Sequence, residues 1–243
     1  MKAYLIEIME SIQGEGLTAG MRQIFLRFGG CNLRCSYCDT GASLATPEEG
    51  FFYPQAGNSR SKEAFKNPLD TLSVIELVRR FSSSWISFTG GEPLLWSDFV
   101  RELGLKLKPA GYRFLLETNG TLVEELDKCL PLVDLISMDF KLPSATGKDN
   151  WDNHYFFLRE AVTKPCYVKI VANQDTREDE IYQAFDIIGK IDRKIPVYLQ
   201  PVTKEGRPDL KLLPFLLRMQ EKGLNRLEDV RIMPQLHVFL GLM

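Results

Sequence analysis

The chain has 243 residues, 44% of them hydrophobic and 26% charged, ordinary values for a globular protein that buries a core without disulfide staples. Its 30 basic residues are spread along the sequence against 32 acidic ones, giving no nucleic-acid footprint and no cationic face for an anionic membrane. No window supplies the roughly 18 apolar residues of a membrane span, and Glu7 and Glu10 interrupt the stretch that a signal peptide keeps apolar, so a cytoplasmic protein is expected.

Apolar runs of strand length begin at Tyr4–Ile8 and Gln23–Phe28 and are followed by a cysteine-bearing loop. Residues 41–68 then break the rhythm: rich in Ser, Gly, Pro and Asn, with Phe51, Phe52 and Tyr53 but no clear period, they read as an inserted loop or lid. Beyond them helical spacing at Leu72–Phe81 leads into a strand at Trp85–Thr89, a helix at Asp98–Leu107, a strand at Arg113–Glu117 and a helix at Val123–Leu130. Strands at Leu135–Phe140 and Tyr167–Ala172, a helix at Asp179–Ile191, a strand at Val197–Gln200, a helix at Leu210–Lys222 and a strand at Val230–Met233 complete the pattern. Alternation of this kind predicts an α/β fold with a parallel sheet, in one domain over 1–243, since no linker or internal repeat divides the chain.

Unusual polar residues cluster at the carboxyl ends of these strands: Thr89-Gly-Gly-Glu-Pro, Glu117-Thr-Asn-Gly, Ser137 to Lys141, Asn173 and Gln200-Pro. Any one of them, taken singly, reads better as an ordinary turn or cap residue than as a functional one. In a parallel barrel all such ends open on one face, so distant sequence positions converge there.

Five cysteines are present, and Cys31, Cys35 and Cys38 stand in a C-x3-C-x2-C spacing inside a loop introduced by Gly29-Gly30. Three thiolates on a four-iron cube leave one iron for an outside ligand. Structural zinc is the competing use and needs a fourth ligand from His154, His237, Cys129 or Cys166, all distant in sequence. Cys129 and Cys166 otherwise read as buried structural thiols.

The cysteine spacing, with an aromatic residue before the third cysteine, resembles the radical S-adenosylmethionine superfamily, and Gly90-Gly91-Glu92-Pro93 matches that superfamily's GGEP motif. Ile12-Gln13-Gly14-Glu15-Gly16, Arg27, Asp39-Thr40, Leu116 to Thr121, Tyr198-Leu199-Gln200 and Arg231 to His237 extend the likeness over nearly the whole chain to the 7-carboxy-7-deazaguanine synthase family. The resemblance implies a partial, open parallel α/β barrel and the ring contraction of 6-carboxy-5,6,7,8-tetrahydropterin to 7-carboxy-7-deazaguanine with loss of ammonia, on the route to queuosine. It implies a 4Fe-4S cluster on Cys31, Cys35 and Cys38, S-adenosyl-L-methionine near Tyr37, Asp39, Gly91, Ser137 and Asp139, and Mg2+ at Thr40. Substrate contacts fall on Ile12, Gln13, Gly14, Arg27 and Thr89, and a planar guanidinium fork at Arg27 suits a carboxylate. No residue is assigned a proton-transfer role. Glu117, Asn119, Lys141, Lys169 and Gln200 are further polar candidates on the same face, each explained as well by structural pairing.

An electron donor such as flavodoxin or ferredoxin and a homodimer are also implied. The family commonly has Trp where Tyr37 stands and a longer tail after Pro234-Gln235-Leu236-His237, which leaves any substrate contact from the terminal residues open, and His237 reads as structural. Two other functions remain: an activase that makes a glycyl radical on a partner protein, and a zinc-binding module without catalysis.

Overall fold

In the computed structural model, which describes residues 1–55 and 61–242, ten strands form one sheet. In chain order they are β1 (Leu5–Ile12), β2 (Arg22–Phe28), β3 (Glu49–Tyr53), β4 (Glu63–Lys66), β5 (Trp85–Gly90), β6 (Arg113–Thr118), β7 (Leu135–Asp139), β8 (Cys166–Ala172), β9 (Val197–Pro201) and β10 (Val230–Ile232). Helices α1 (Thr71–Val78), α2 (Ser97–Leu107), α3 (Val123–Cys129), α4 (Trp151–Ala161), α5 (Glu178–Ile191) and α6 (Leu213–Leu224) connect them. Across the sheet the order is β10-β9-β8-β7-β6-β5-β2-β1-β3-β4, and every pairing from β2 to β10 is parallel. The sheet does not close on itself, so the barrel is partial.

Its sidedness follows from a period of two. Ile86 and Phe88, Phe114 and Leu116, Ile136 and Met138, Val168 and Ile170, and Val197 and Leu199 are all fully buried in the core shared with the helices. Each intervening residue faces the concave side, where Ser87, Thr89, Glu117, Ser137, Asp139, Lys169 and Gln200 replace aliphatic side chains. Parallel register sets Arg27 beside Thr89, Glu117 beside Ser137 and Asp139 beside Lys169. Beneath these polar groups Leu115, Leu135, Tyr167 and Tyr198 plug the closed end of the concave face.

Three differences from the sequence reading stand out. The first strand is longer than expected and runs antiparallel to β2, because the short connection at 13–21 makes a hairpin and cannot make a crossover. The 41–68 segment, expected to be unpatterned, carries β3 and β4: β3 pairs with β1 and β4 extends the sheet beyond it, while 56–60 lie outside the described residues. Helix α4 went unread, although His154, Phe157, Leu158 and Ala161 bury one face at helical spacing, because the exposed Phe156 blurs the period.

Candidate active site

A cavity of about 480 Å³ opens at the carboxyl ends of the parallel strands. It is lined by the QGEG turn after β1, the cysteine loop after β2, the ends of β5 to β9, and the last residues of the chain.

Cys31, Cys35 and Cys38 all border this cavity as free thiols, the first two half-buried and the third exposed. Burial pushes the Cys31 and Cys35 thiols up, and the Lys141 ammonium opposes that shift at both. The loop is shaped by its backbone: Cys38 N–H donates to the Cys35 carbonyl at 3.2 Å and Ser36 N–H to the Ala145 carbonyl at 2.9 Å. Three sulfurs on one short loop, open to a cavity, suit a multi-iron cube that takes each thiolate on a separate iron. Among the described residues no three His, Cys, Asp or Glu side chains converge on a point for a single metal ion. Two of the distant zinc-ligand candidates are engaged elsewhere: His154 is buried against the Asn119 carbonyl and Cys129 bonds the Ser97 carbonyl.

Gly90 and Gly91 bring β5's end against the cysteine loop. A Cβ at Gly91 would lie 1.9 Å from the Gly30 carbonyl oxygen, so only glycine permits this approach. Glu92, fully buried, accepts from Leu94 N–H at 3.0 Å, the Thr118 hydroxyl at 2.9 Å and Asn119 N–H at 2.8 Å. Burial outweighs those donors and pushes its carboxyl up to about 7. Asn119 in turn donates to the Asn32 side chain at 2.7 Å, so the GGEP turn, the Glu117-Thr-Asn-Gly turn and the cysteine loop are tied into one unit.

The wall formed by β7 and β8 is charged. Lys169 pairs with Glu15 and lies 3.6 Å from Asp139, which also pairs with Lys141 at 3.2 Å. Burial opposes charge on both lysines but is outweighed, by Asp139 and Glu15 at Lys169 and by Asp139 first at Lys141, so each is held above the ordinary lysine range. Glu15 also accepts from the amides of Gln200 at 3.0 Å and Gln235 at 2.8 Å. Nearby Glu117 accepts from Gln13 at 2.8 Å, Ser87 at 2.6 Å and Thr89 at 3.0 Å. On β2, Arg27 donates its Nε to Glu7 at 2.8 Å, which leaves the terminal nitrogens of the guanidinium for a ligand, and Tyr53 of β3 donates to the same Glu7 at 3.4 Å.

Ile12, Gln13, Gly14, Arg27, Thr89, Tyr37, Asp39, Thr40, Gly91 and Asp139 all line the cavity with the three cysteines, and so do Glu117, Asn119, Lys141, Lys169 and Gln200. Ser137 does not: it is buried below the cavity, between Glu117 and Tyr167 in register. Asn173 lies outside the lining but donates to Ser36 of the cysteine loop at 3.3 Å. Sequence reasoning left Glu15 and Gln235 without roles, although both sit inside motifs it had singled out. His237, read as structural, borders the cavity against Gly14, where a Cβ would come within 1.9 Å of its Nδ1.

Residues 26–155 match the model of the radical SAM superfamily. The chain is 41% identical to the 7-carboxy-7-deazaguanine synthase of Geobacter sulfurreducens over 98% of its own length and 97% of that protein's. It is 34% identical to the synthase of the same name from Archaeoglobus fulgidus, with 99% of each covered. Among solved structures it resembles QueE from Escherichia coli, with a TM-score of 0.67 at 20% identity over 98% of this chain and 95% of that one, a likeness of fold. A matching family model across the cysteine loop and full-length relatives at 41% and 34% identity leave one assignment: the chain belongs to the radical SAM superfamily and, within it, to the 7-carboxy-7-deazaguanine synthase family.

Proposed function

We propose that the protein contracts the ring of 6-carboxy-5,6,7,8-tetrahydropterin to 7-carboxy-7-deazaguanine, releasing ammonia, as a step toward queuosine and related deazapurines. The observation that carries this reading is a single cavity in which a three-thiol wall adjoins Arg27, Gln13, Thr89 and Glu117, a set matched to a carboxylated bicycle with an amide edge. Cys31, Cys35 and Cys38 would hold the 4Fe-4S cluster, with Tyr37, Asp39, Gly91 and Asp139 around S-adenosyl-L-methionine and Ser137 beneath them. Bound together at these residues, cluster and S-adenosyl-L-methionine would supply the one-electron chemistry for hydrogen-atom abstraction from substrate.

The chain's own residues bind and orient. Arg27, steadied through its Nε by Glu7, presents its remaining donors to the substrate carboxylate. The backbone of Ile12, Gln13 and Gly14 approaches the ring edge, and Glu117, with three donors already fixing it, offers its remaining lone pairs to ring N–H groups. Thr40, whose hydroxyl is steadied by Asp39, would supply an oxygen donor for Mg2+, a hard cation that one or two side chains and substrate oxygens commonly hold. Electrons come from a flavodoxin or ferredoxin, the working unit is a homodimer, and the compartment is cytoplasmic; no helix among the described residues is long and apolar enough to cross a membrane.

The test is anaerobic turnover of the reconstituted protein with S-adenosyl-L-methionine, Mg2+, a reductant and 6-carboxytetrahydropterin, with both products followed by mass spectrometry. Carboxydeazaguanine is the expected product; 5'-deoxyadenosine without it would leave the radical chemistry and discard the substrate. Arg27→Ala is expected to raise the substrate KM at least about tenfold, the loss of a charge-assisted hydrogen bond, with the cluster absorbance unchanged. Loss of the cluster in that variant would remove Arg27 from the substrate role. Thr40→Ala should raise the Mg2+ concentration needed for half-maximal rate, and an unchanged metal response would take Thr40 out of the site.

A further inference from the structure

The Asp39 carboxylate borders the cavity beside Thr40, and its hydrogen-bond donors are neutral: the Thr40 hydroxyl donates to Oδ1 at 2.7 Å and the Gln235 amide to Oδ2 at 3.1 Å. That same amide nitrogen donates to Oε1 of Glu15 at 2.8 Å, while its carbonyl oxygen accepts from the Thr203 hydroxyl at 2.5 Å. Thr203 therefore fixes which way the amide points, and the amide's two hydrogens are divided between two carboxylates from different loops. Gln235 is itself buried, and the next residue's N–H donates to the Gly14 carbonyl at 2.9 Å, closing the chain's end onto the QGEG turn.

We propose that Gln235 is a positioning residue for the reaction, holding Asp39, and through it Thr40, in register with the QGEG turn so that the metal and substrate sites are assembled together. This rests on the functional reading above. Without the amide, two carboxylates face each other across the gap with no donor between them, and Asp39 is free to turn away from Thr40. The neighbouring Lys169 compensates Glu15 directly, but the hydrogen bonds to Asp39 come from Thr40 and Gln235 among the described residues.

The experiment uses the reconstituted holoenzyme and compares wild type, Gln235→Ala, Gln235→Glu and Thr203→Val. It measures the Mg2+ concentration at half-maximal rate, substrate KM and kcat, S-adenosyl-L-methionine cleavage without substrate, cluster absorbance, and substrate binding by anaerobic titration calorimetry at two Mg2+ concentrations. Gln235→Ala is expected to raise the Mg2+ requirement and the substrate KM about tenfold each, with kcat at saturation, uncoupled cleavage and the cluster little changed. Gln235→Glu should be worse, since it adds a third carboxylate. Thr203→Val, which keeps the glutamine but frees its amide, should shift the same two quantities by a smaller factor, so the inference stays testable even if both Gln235 variants fold poorly. A Mg2+ requirement and KM within twofold of wild type in Gln235→Ala and Thr203→Val would overturn it, as would a fall in kcat alone. Wild-type protein that forms no carboxydeazaguanine would sink the functional reading instead, a result separable from any effect of the variants.

Discussion

Cys35→Ala is expected to give a folded protein that cleaves no S-adenosyl-L-methionine. The side chain lies half-exposed at the cavity edge, and the loop around it is held by backbone bonds from Cys38 and Ser36 that the substitution leaves intact, so unfolding is not the cause of the loss. What disappears is one of three thiolates, and two cannot hold a four-iron cube with a single open iron. Iron and sulfide content after anaerobic reconstitution, together with 5'-deoxyadenosine by mass spectrometry, make the check. A variant that retained full iron and cleaved the cofactor would dismiss the assignment of this loop.

The second large effect concerns stability. Lys169→Met removes the cation beside Glu15, leaving that buried carboxylate without its ion-pair partner while the half-buried Asp139 keeps Lys141, and should cost roughly 3–5 kcal/mol, the usual consequence of breaking a buried ion pair from one side. Equilibrium urea unfolding reads the change, and adding Glu15→Gln should restore part of it because the two sites are coupled. The pH dependence has a definite sign. Burial pushes the Glu15 carboxyl up, but Lys169 and the amides of Gln235 and Gln200 outweigh it and hold the group below its ordinary 4.5. The stability this contributes is present above 4.5 and lost as pH falls through the lower folded-state value. In the variant burial acts unopposed by the lysine, so protonation relieves it, and the gap between wild type and Lys169→Met should narrow between pH 7 and about pH 4. A gap that stayed constant would place the loss in packing.

How much of this was legible beforehand depends on how each residue is buried. The parallel strands β5 to β9 were read to within a residue or two because strands covered on both faces leave dense apolar runs, and the polar residues at their ends marked the cavity mouth. The cysteine loop announced itself by spacing alone. What sequence could not supply was partnership: Gln235 reaches Glu15 across 220 positions and Asp39 across 196, contacts that exist only once the sheet has curled. Tyr53 and Glu7 behind Arg27 were hidden for the same reason, since β3 lies in a stretch whose Ser, Gly and Pro content masked a short strand. Ser137 shows the converse, a residue whose strand and face were right but whose depth places it under the cavity floor.

The alternation along the central strands also bears on how faithfully the chain folds. A slip of β8 by one position against β7 would turn Lys169 into the apolar layer beneath the helices and carry Val168 and Ile170 to the wet side. Each such error buries unpaired charge and exposes hydrocarbon at once, so misregistered sheets are penalised far more heavily than in a barrel lined with aliphatic side chains. The charges that equip the cavity thereby also act as proofreading marks during assembly, rejecting neighbouring alignments before the chain commits to them.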